Sequence, residues 1–192
     1  MRGSKIVSVI NKPERITLSK KQLLWHYSVV FFFLIVPFAN LWSLVEYYVL
    51  DSYNGVLEAK ELFLITFGFV ILAGAFFLLQ RNRLKFREFD LSYTSDAFDR
   101  ALKKTSEELK WKIIEKQKGY VRAYRDWERS ASWGELITIK RGDGRVLINS
   151  ICNPEAMFIS AISYGWNKKN IRTFIGNLSS QSANADVTSV DK

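Results

Sequence analysis

The sequence predicts a membrane protein: an N-terminal hairpin of two transmembrane helices followed by a small cytoplasmic α+β domain, an antiparallel sheet with helices on one face. Three observations predict it. Twenty-four residues between Lys21 and Glu46, and nineteen between Glu61 and Arg81, contain no Asp, Glu, Lys or Arg. Basic residues crowd the outer ends of this pair of stretches. Beyond them, one segment of helical period is followed by runs of strand character separated by turn signals.

At 1.5 Å of rise per residue the second stretch spans about 28 Å, close to the ~30 Å hydrocarbon core, and the first is long enough to tilt or bend. A cleaved signal peptide fits poorly. Its apolar region would run ~7–15 residues and end in small residues, whereas Val29 to Val36 is followed by Pro37, Phe38 and Trp42 and then by a second span. Trp25 and Tyr27 before the first stretch, and Trp42, Tyr47 and Tyr48 after it, suit interfacial anchors.

Orientation follows from the bases. Arg2, Lys5, Lys12, Arg15, Lys20 and Lys21 precede the first span and Arg81, Arg83, Lys85 and Arg87 follow the second, while the connecting loop holds Lys60 alone against four acids. Basic residues near span ends are retained on the cytoplasmic side, so both termini are expected there, at the inner (cytoplasmic) membrane. The predicted organisation is a basic tail over 1–21, a hairpin over 22–80 with an external loop at about 46–61, a domain over 84–178, and a disordered tail over 179–192. That tail has no aromatic residue and few large aliphatics.

Within the domain, residues 84–91 read as a strand. Thr94 then caps a helix with Asp96 and Asp99 near its positive end and Phe98, Leu102, Thr105 and Leu109 on its inner face. Residues 112–117 and 120–126 flank Lys118-Gly119 as a hairpin. Residues 135–140 and 145–152 form a second, turned by Arg141-Gly142-Asp143-Gly144, whose Asp-Gly step tolerates positive φ. That RGD triplet is read as a turn. A further strand is expected over 156–163, with a helix as the alternative, and a last helix follows an Asn167 cap with Ile171, Phe174, Ile175 and Leu178 inward.

Most enzyme classes need groups this chain lacks. His26, the only histidine, lies at the edge of the first span and is read as interfacial, so no catalytic base of that type is near the domain. Cys152, the only cysteine, sits in an apolar run and reads as a small buried hydrophobe. No metal-ligand spacing and no phosphate loop occurs, so no catalytic residue, metal or cofactor is assigned. Asp126, Glu128 and Glu135 stand among arginines and read as a solvated charged turn. The alternation Tyr120, Arg122, Tyr124, Arg125, Trp127, Arg129, Trp133 mixes core aromatics with a surface suited to headgroups. Asn40, Ser43 and Thr66 are the polar residues of the spans, and Asn40 is a hydrogen-bonding candidate for helix contact.

One constellation stands out. Lys168 and Lys169 open the last helix, where cations oppose the dipole by ~0.3–1 kcal/mol, a conflict that a bound anion would relieve. Ser163, Asn167, Lys168, Lys169 and Asn170 are therefore the candidate anion-binding residues, and Arg81, Arg83, Lys85 and Arg87 the candidate membrane-surface residues. The net charge of +9 is explained by anionic headgroups at ~1 kcal/mol per base, and no nucleic-acid module is present. The expected function is a membrane-anchored, non-enzymatic binding or adaptor domain, with anionic lipid headgroups, a protein or further copies of the chain as partners. The alternatives are a sensor-effector that binds a nucleotide or headgroup and acts by oligomerising, and a lipid-directed enzyme.

Overall fold

The computed structural model describes residues 14–126, 133–142, 144–155 and 163–190, with side chains of the last helix described to residue 183. A short helix α1 (Lys20–His26) comes first, capped by Ser19 and Gln22, each of whose side chains accepts from the other's backbone N–H. The chain breaks at Tyr27 and enters α2 (Ser28–Val45), which continues as a π-helical turn to Leu50. Helix α3 (Ala59–Arg83) returns antiparallel to it. Both are long and apolar enough to cross a membrane, and only 17% and 11% of their apolar windows are buried by the rest of the chain. The connecting loop is shorter than the sequence predicts, because helical turns persist to Leu50 and resume at Ala59.

The two long helices pack through specific pairs. Phe33 stacks on Phe76 at 5.0 Å and Tyr27 on Phe77 at 5.3 Å, over a seam of Val29, Val30 and Ala73. Asn40 donates to Thr66 Oγ1 at 3.1 Å, so the amide that the sequence offered for helix contact is satisfied inside the hairpin. At the other end His26 Nε2 donates to the Gln80 carbonyl at 3.0 Å and Gln80 Nε2 donates back to the His26 carbonyl at 2.9 Å. His26 is thus a buried tie between α1 and α3.

The domain holds strands β1 (Arg87–Asp90), β2 (Trp111–Gln117), β3 (Tyr120–Arg125), β4 (Glu135–Gly142) and β5 (Arg145–Cys152). They form one antiparallel sheet in the order β1-β5-β4-β3-β2. Helix α4 (Ser95–Leu109) starts at Thr94, whose hydroxyl accepts from the Ala97 N–H, and α5 covers Trp166–Val190. Both lie on one face, as predicted. Phe98, Ala101 and Leu102 of α4 and Ile171, Phe174 and Leu178 of α5 close over Val121, Ala123, Ile137, Ile139, Val146 and Ile148.

The opposite face is covered by the chain's own beginning. Ile16 N–H donates to the Leu84 carbonyl and Phe86 N–H to the Glu14 carbonyl, both at 2.9 Å, so residues 14–16 run beside the end of α3 as an extra ladder. Ile16, Leu18, Leu84 and Phe86 then bury Leu136 and Ile151, and Glu14 pairs with Lys140. This part of the predicted basic tail is structural, while Arg2, Lys5 and Lys12 lie outside the described residues.

Two further expectations are corrected, and a third lies outside the described residues. Helix α5 continues past Leu178 into the stretch expected to be disordered, where Arg100 of α4 donates to Gln181 at 2.9 Å and Ser180 and Ser182 bond back to carbonyls one turn earlier. Glu135 is not solvated: it is fully buried and accepts from Arg125 Nη1 at 3.2 Å. The predicted strand over 156–163 falls almost wholly outside the described residues, as do Trp127, Glu128, Arg129 and Asp143.

The Arg125–Glu135 pair is also stacked, with the guanidinium 3.4 Å from the centre of the Trp166 ring. Removing one member of a buried pair strands the other charge, at a cost of ~3–5 kcal/mol. Glu135→Ala is therefore expected to lower unfolding stability by about that amount in the detergent-solubilised chain, measured with denaturant. A loss below ~1 kcal/mol would show that the pair is not desolvated as described.

Candidate functional site

The end of α3 sets the site. Its last carbonyls have no helical partner, and the side chain of Asn149 on β5 takes two of the groups there: Nδ2 donates to the Arg83 carbonyl at 2.7 Å and to the Lys85 carbonyl at 2.6 Å. The chain then leaves extended, which spaces Lys85 and Arg87 two apart and on one side. Across from them α5 begins. Tyr164 (φ 46°) and Gly165 (φ 85°) reverse the chain, and the Lys169 N–H bonds the Gly165 carbonyl at 3.0 Å as the first helical turn.

Between these ends lies a cleft of about 460 Å³. Arg83, Lys85 and Arg87 line one wall, and Ser163, Asn167 and Lys168 the other, with Asn149 and Ser150 at its floor. Four lining side chains are cationic and, among the described residues, none is a carboxylate. Such a cleft concentrates positive potential between low-dielectric walls and attracts an anion. The backbone N–H groups at the start of α5 act in the same sense.

The floor is a wired polar network. Trp111 Nε1 donates to Asn170 Oδ1 at 3.1 Å, Asn170 Nδ2 to Ser150 Oγ at 3.1 Å, and the Ser150 hydroxyl to Asn167 Oδ1 at 3.0 Å. Each donation fixes the next group, so Asn167 is held by its oxygen with its amide hydrogens directed elsewhere. Asn149 is only 3% exposed, and its Oδ1 is buried without a hydrogen-bond partner. Beside this network burial pushes the Cys152 thiol up from 9.0 to about 11, reinforced by Glu135 and opposed by Arg83 and by a hydrogen bond from Asn167.

Of the five residues predicted to bind an anion, Ser163, Asn167 and Lys168 line the cleft. Lys169 instead lies over the Trp166 ring at 4.3 Å, the ring on which Arg125 also stacks, and Asn170 is fully buried in the network. Asn167 is inside the first turn rather than at the cap, because the left-handed pair before Trp166 starts the helix earlier. Three of the four predicted membrane-surface bases, Arg83, Lys85 and Arg87, turn out to share this same cleft, and Arg81 lines a neighbouring one. Asn149 and Ser150 were not singled out from sequence. A strand Asn that clamps a helix end 66 positions earlier leaves no local signal.

Elsewhere the chemistry is sparse. No cluster of three or more His, Cys, Asp or Glu able to hold a metal occurs among the described residues. Asp126 pairs with Lys112 at 3.0 Å. A second cleft on the far face of the sheet is lined by Ile114, Arg122 and Tyr124, so Arg122 and Tyr124 do share one face as the strand alternation requires. Comparison with protein-family models, with curated proteins and with solved structures returned no match.

Two outcomes separate the scaffold of the cleft from its lining. Asn170→Ala leaves the Trp111 indole N–H without its buried acceptor and Ser150 Oγ without the donor from Asn170, and is expected to cost ~1–3 kcal/mol in thermal unfolding, whereas Lys168→Ala is expected to change stability by less than ~0.5 kcal/mol. The raised thiol pKa also fixes a sign. Between pH 9 and about 11 the unfolded chain releases the Cys152 proton while the folded chain keeps it, so stability should fall as pH rises through that window. The melting temperature of Cys152→Ala is expected to fall less steeply there than that of the wild type. Parallel curves would refute the burial of the thiol.

Proposed function

We propose that this chain is an integral membrane protein of the inner (cytoplasmic) membrane, with both termini cytoplasmic, whose α+β domain is a non-enzymatic module that binds an anionic, phosphate-bearing group at the membrane surface. The observation that carries this reading is the cleft itself: Arg83, Lys85, Arg87 and Lys168 converge on one volume that no described carboxylate lines. Its position supports the rest. Arg83 is the last residue of α3, so a ligand there sits one helical turn from the apolar surface. The exposed apolar faces of α2 and α3 fit lipid contact better than core packing, and ten bases flank the pair against one in the loop.

A binding role accounts for the site better than catalysis. The cleft presents cations, amides and one hydroxyl pair, which hold and orient an anion, while the one buried thiol is kept protonated. The leading test uses the purified full chain in detergent with inorganic pyrophosphate as probe. Saturating anion at 100 times its dissociation constant should stabilise the wild type by ~2.7 kcal/mol, read as a rise in melting temperature that shrinks with added salt. The double variant Arg87→Glu, Lys168→Glu should show no rise. An equal rise in both proteins, or none in either, would count against the reading. For the topology, a reporter active only outside the membrane and fused after Lys192 is expected to be silent.

A further inference from the structure

We infer that the group taken by this cleft is the headgroup of an anionic phospholipid that carries a free hydroxyl, entering sideways from the leaflet along α3. The inference rests on the anion-binding reading above and narrows it to a ligand class and a route.

The route is visible in the packing of α3. The neighbouring cleft, lined by Arg15, Arg81, Leu78 and Leu79, shares Asn82, Arg83 and Lys85 with the first. The two clefts adjoin along these shared residues, and the second is also lined by Leu78, 63% exposed, and Leu79, 44% exposed. A water-soluble anion gains nothing from two exposed leucines at the mouth of its site. A phospholipid needs that arrangement, with apolar chains against the helix and the phosphate a turn further on among bases.

The hydroxyl follows from Asn149. Its Nδ2 is used twice, on the Arg83 and Lys85 carbonyls, which fixes Oδ1 as the atom left over. That oxygen is buried and unpartnered, on a residue that lines the cleft. An acceptor repels phosphate oxygens and calls for an O–H or N–H donor on the ligand. An ammonium headgroup would meet four cationic side chains, so the donor that fits is a neutral hydroxyl attached close to the phosphate, as on a glycerol or polyol headgroup.

The test titrates the full chain in detergent with soluble short-chain lipids and follows melting temperature. Dihexanoyl phosphatidylglycerol is compared with phosphatidylmethanol, which is anionic but has no hydroxyl, with phosphatidylcholine, and with glycerol 3-phosphate as the chain-free source of the same chemistry. Phosphatidylglycerol is expected to bind about tenfold more tightly than phosphatidylmethanol, the worth of one good hydrogen bond, and at least as much more tightly than glycerol 3-phosphate. Replacing Leu78 and Leu79 by Gln should weaken the lipid about tenfold while leaving glycerol 3-phosphate unchanged. Arg87→Glu with Lys168→Glu should abolish both.

Equal affinity for glycerol 3-phosphate and the lipid, untouched by the leucine changes, would overturn the lipid inference while leaving the anion reading standing. Equal affinity for phosphatidylmethanol and phosphatidylglycerol would overturn the assignment of the hydroxyl to Asn149, and needs no variant of that buried residue. Lipid binding that survives the charge reversals would be ordinary annular association and would overturn the site. Failure of every phosphate-bearing probe would end both readings together.

Discussion

The structure turns on what happens to the carbonyls at the end of α3. A helix that stops inside a fold must have its last carbonyls met by some donor, and here one side-chain amide on β5 meets that of Arg83, the last residue of α3, and that of Lys85 two residues beyond it. Because Asn149 belongs to the second strand of the sheet, the clamp fixes the domain's distance and tilt relative to the apolar hairpin with no linker between them. Lys85 and Arg87 are thereby aimed at the start of α5, and the basic cleft is a consequence of the same two hydrogen bonds. The ladder made by residues 14–16 braces the junction from its other side. Position and site are one construction.

Such a construction distributes charge in an ordered way. Arg125 is withdrawn from water to pair with Glu135 against the Trp166 ring, and Lys169 also packs on that ring. These two cations serve the anchoring of α5. Lys168, one residue away on a different face of the helix, is left to the cleft. The difference between a structural and a binding lysine is here a rotation of 100° about one helix axis.

Much of the fold was legible in the sequence because local rules decided it. The Thr94 cap, the period of Phe98, Leu102, Thr105 and Leu109, and the hairpins at Lys118-Gly119 and after Gly142 are set by neighbours in the chain, and the register follows from alternation. What was hidden depended on distant contacts. Ile16 and Leu18 stand in a basic stretch and resemble a tail until the far face of the sheet is seen to need a cover. Glu135 reads as a solvated acid until Arg125 is placed beside it. The start of α5 was misplaced by two residues because Tyr164 in the left-handed region is not something a Tyr announces. Within the site, the lysines were legible as an electrostatic conflict, whereas Asn149 was one ordinary strand residue among many.

The ladder between residues 14–16 and 84–86 has a consequence in time. Its two halves lie about seventy residues apart, so on a ribosome delivering ~5–20 residues per second the first half waits roughly 4–14 s for the second. During that wait Ile16 and Leu18 have nothing to cover, and the far face of the sheet does not yet exist. Closing so long a loop costs on the order of 4 kcal/mol of chain entropy, recovered only when Leu136 and Ile151 are in place. The half of the ladder made earlier is therefore among the last parts to find its seat, and the junction is complete only after the sheet it braces.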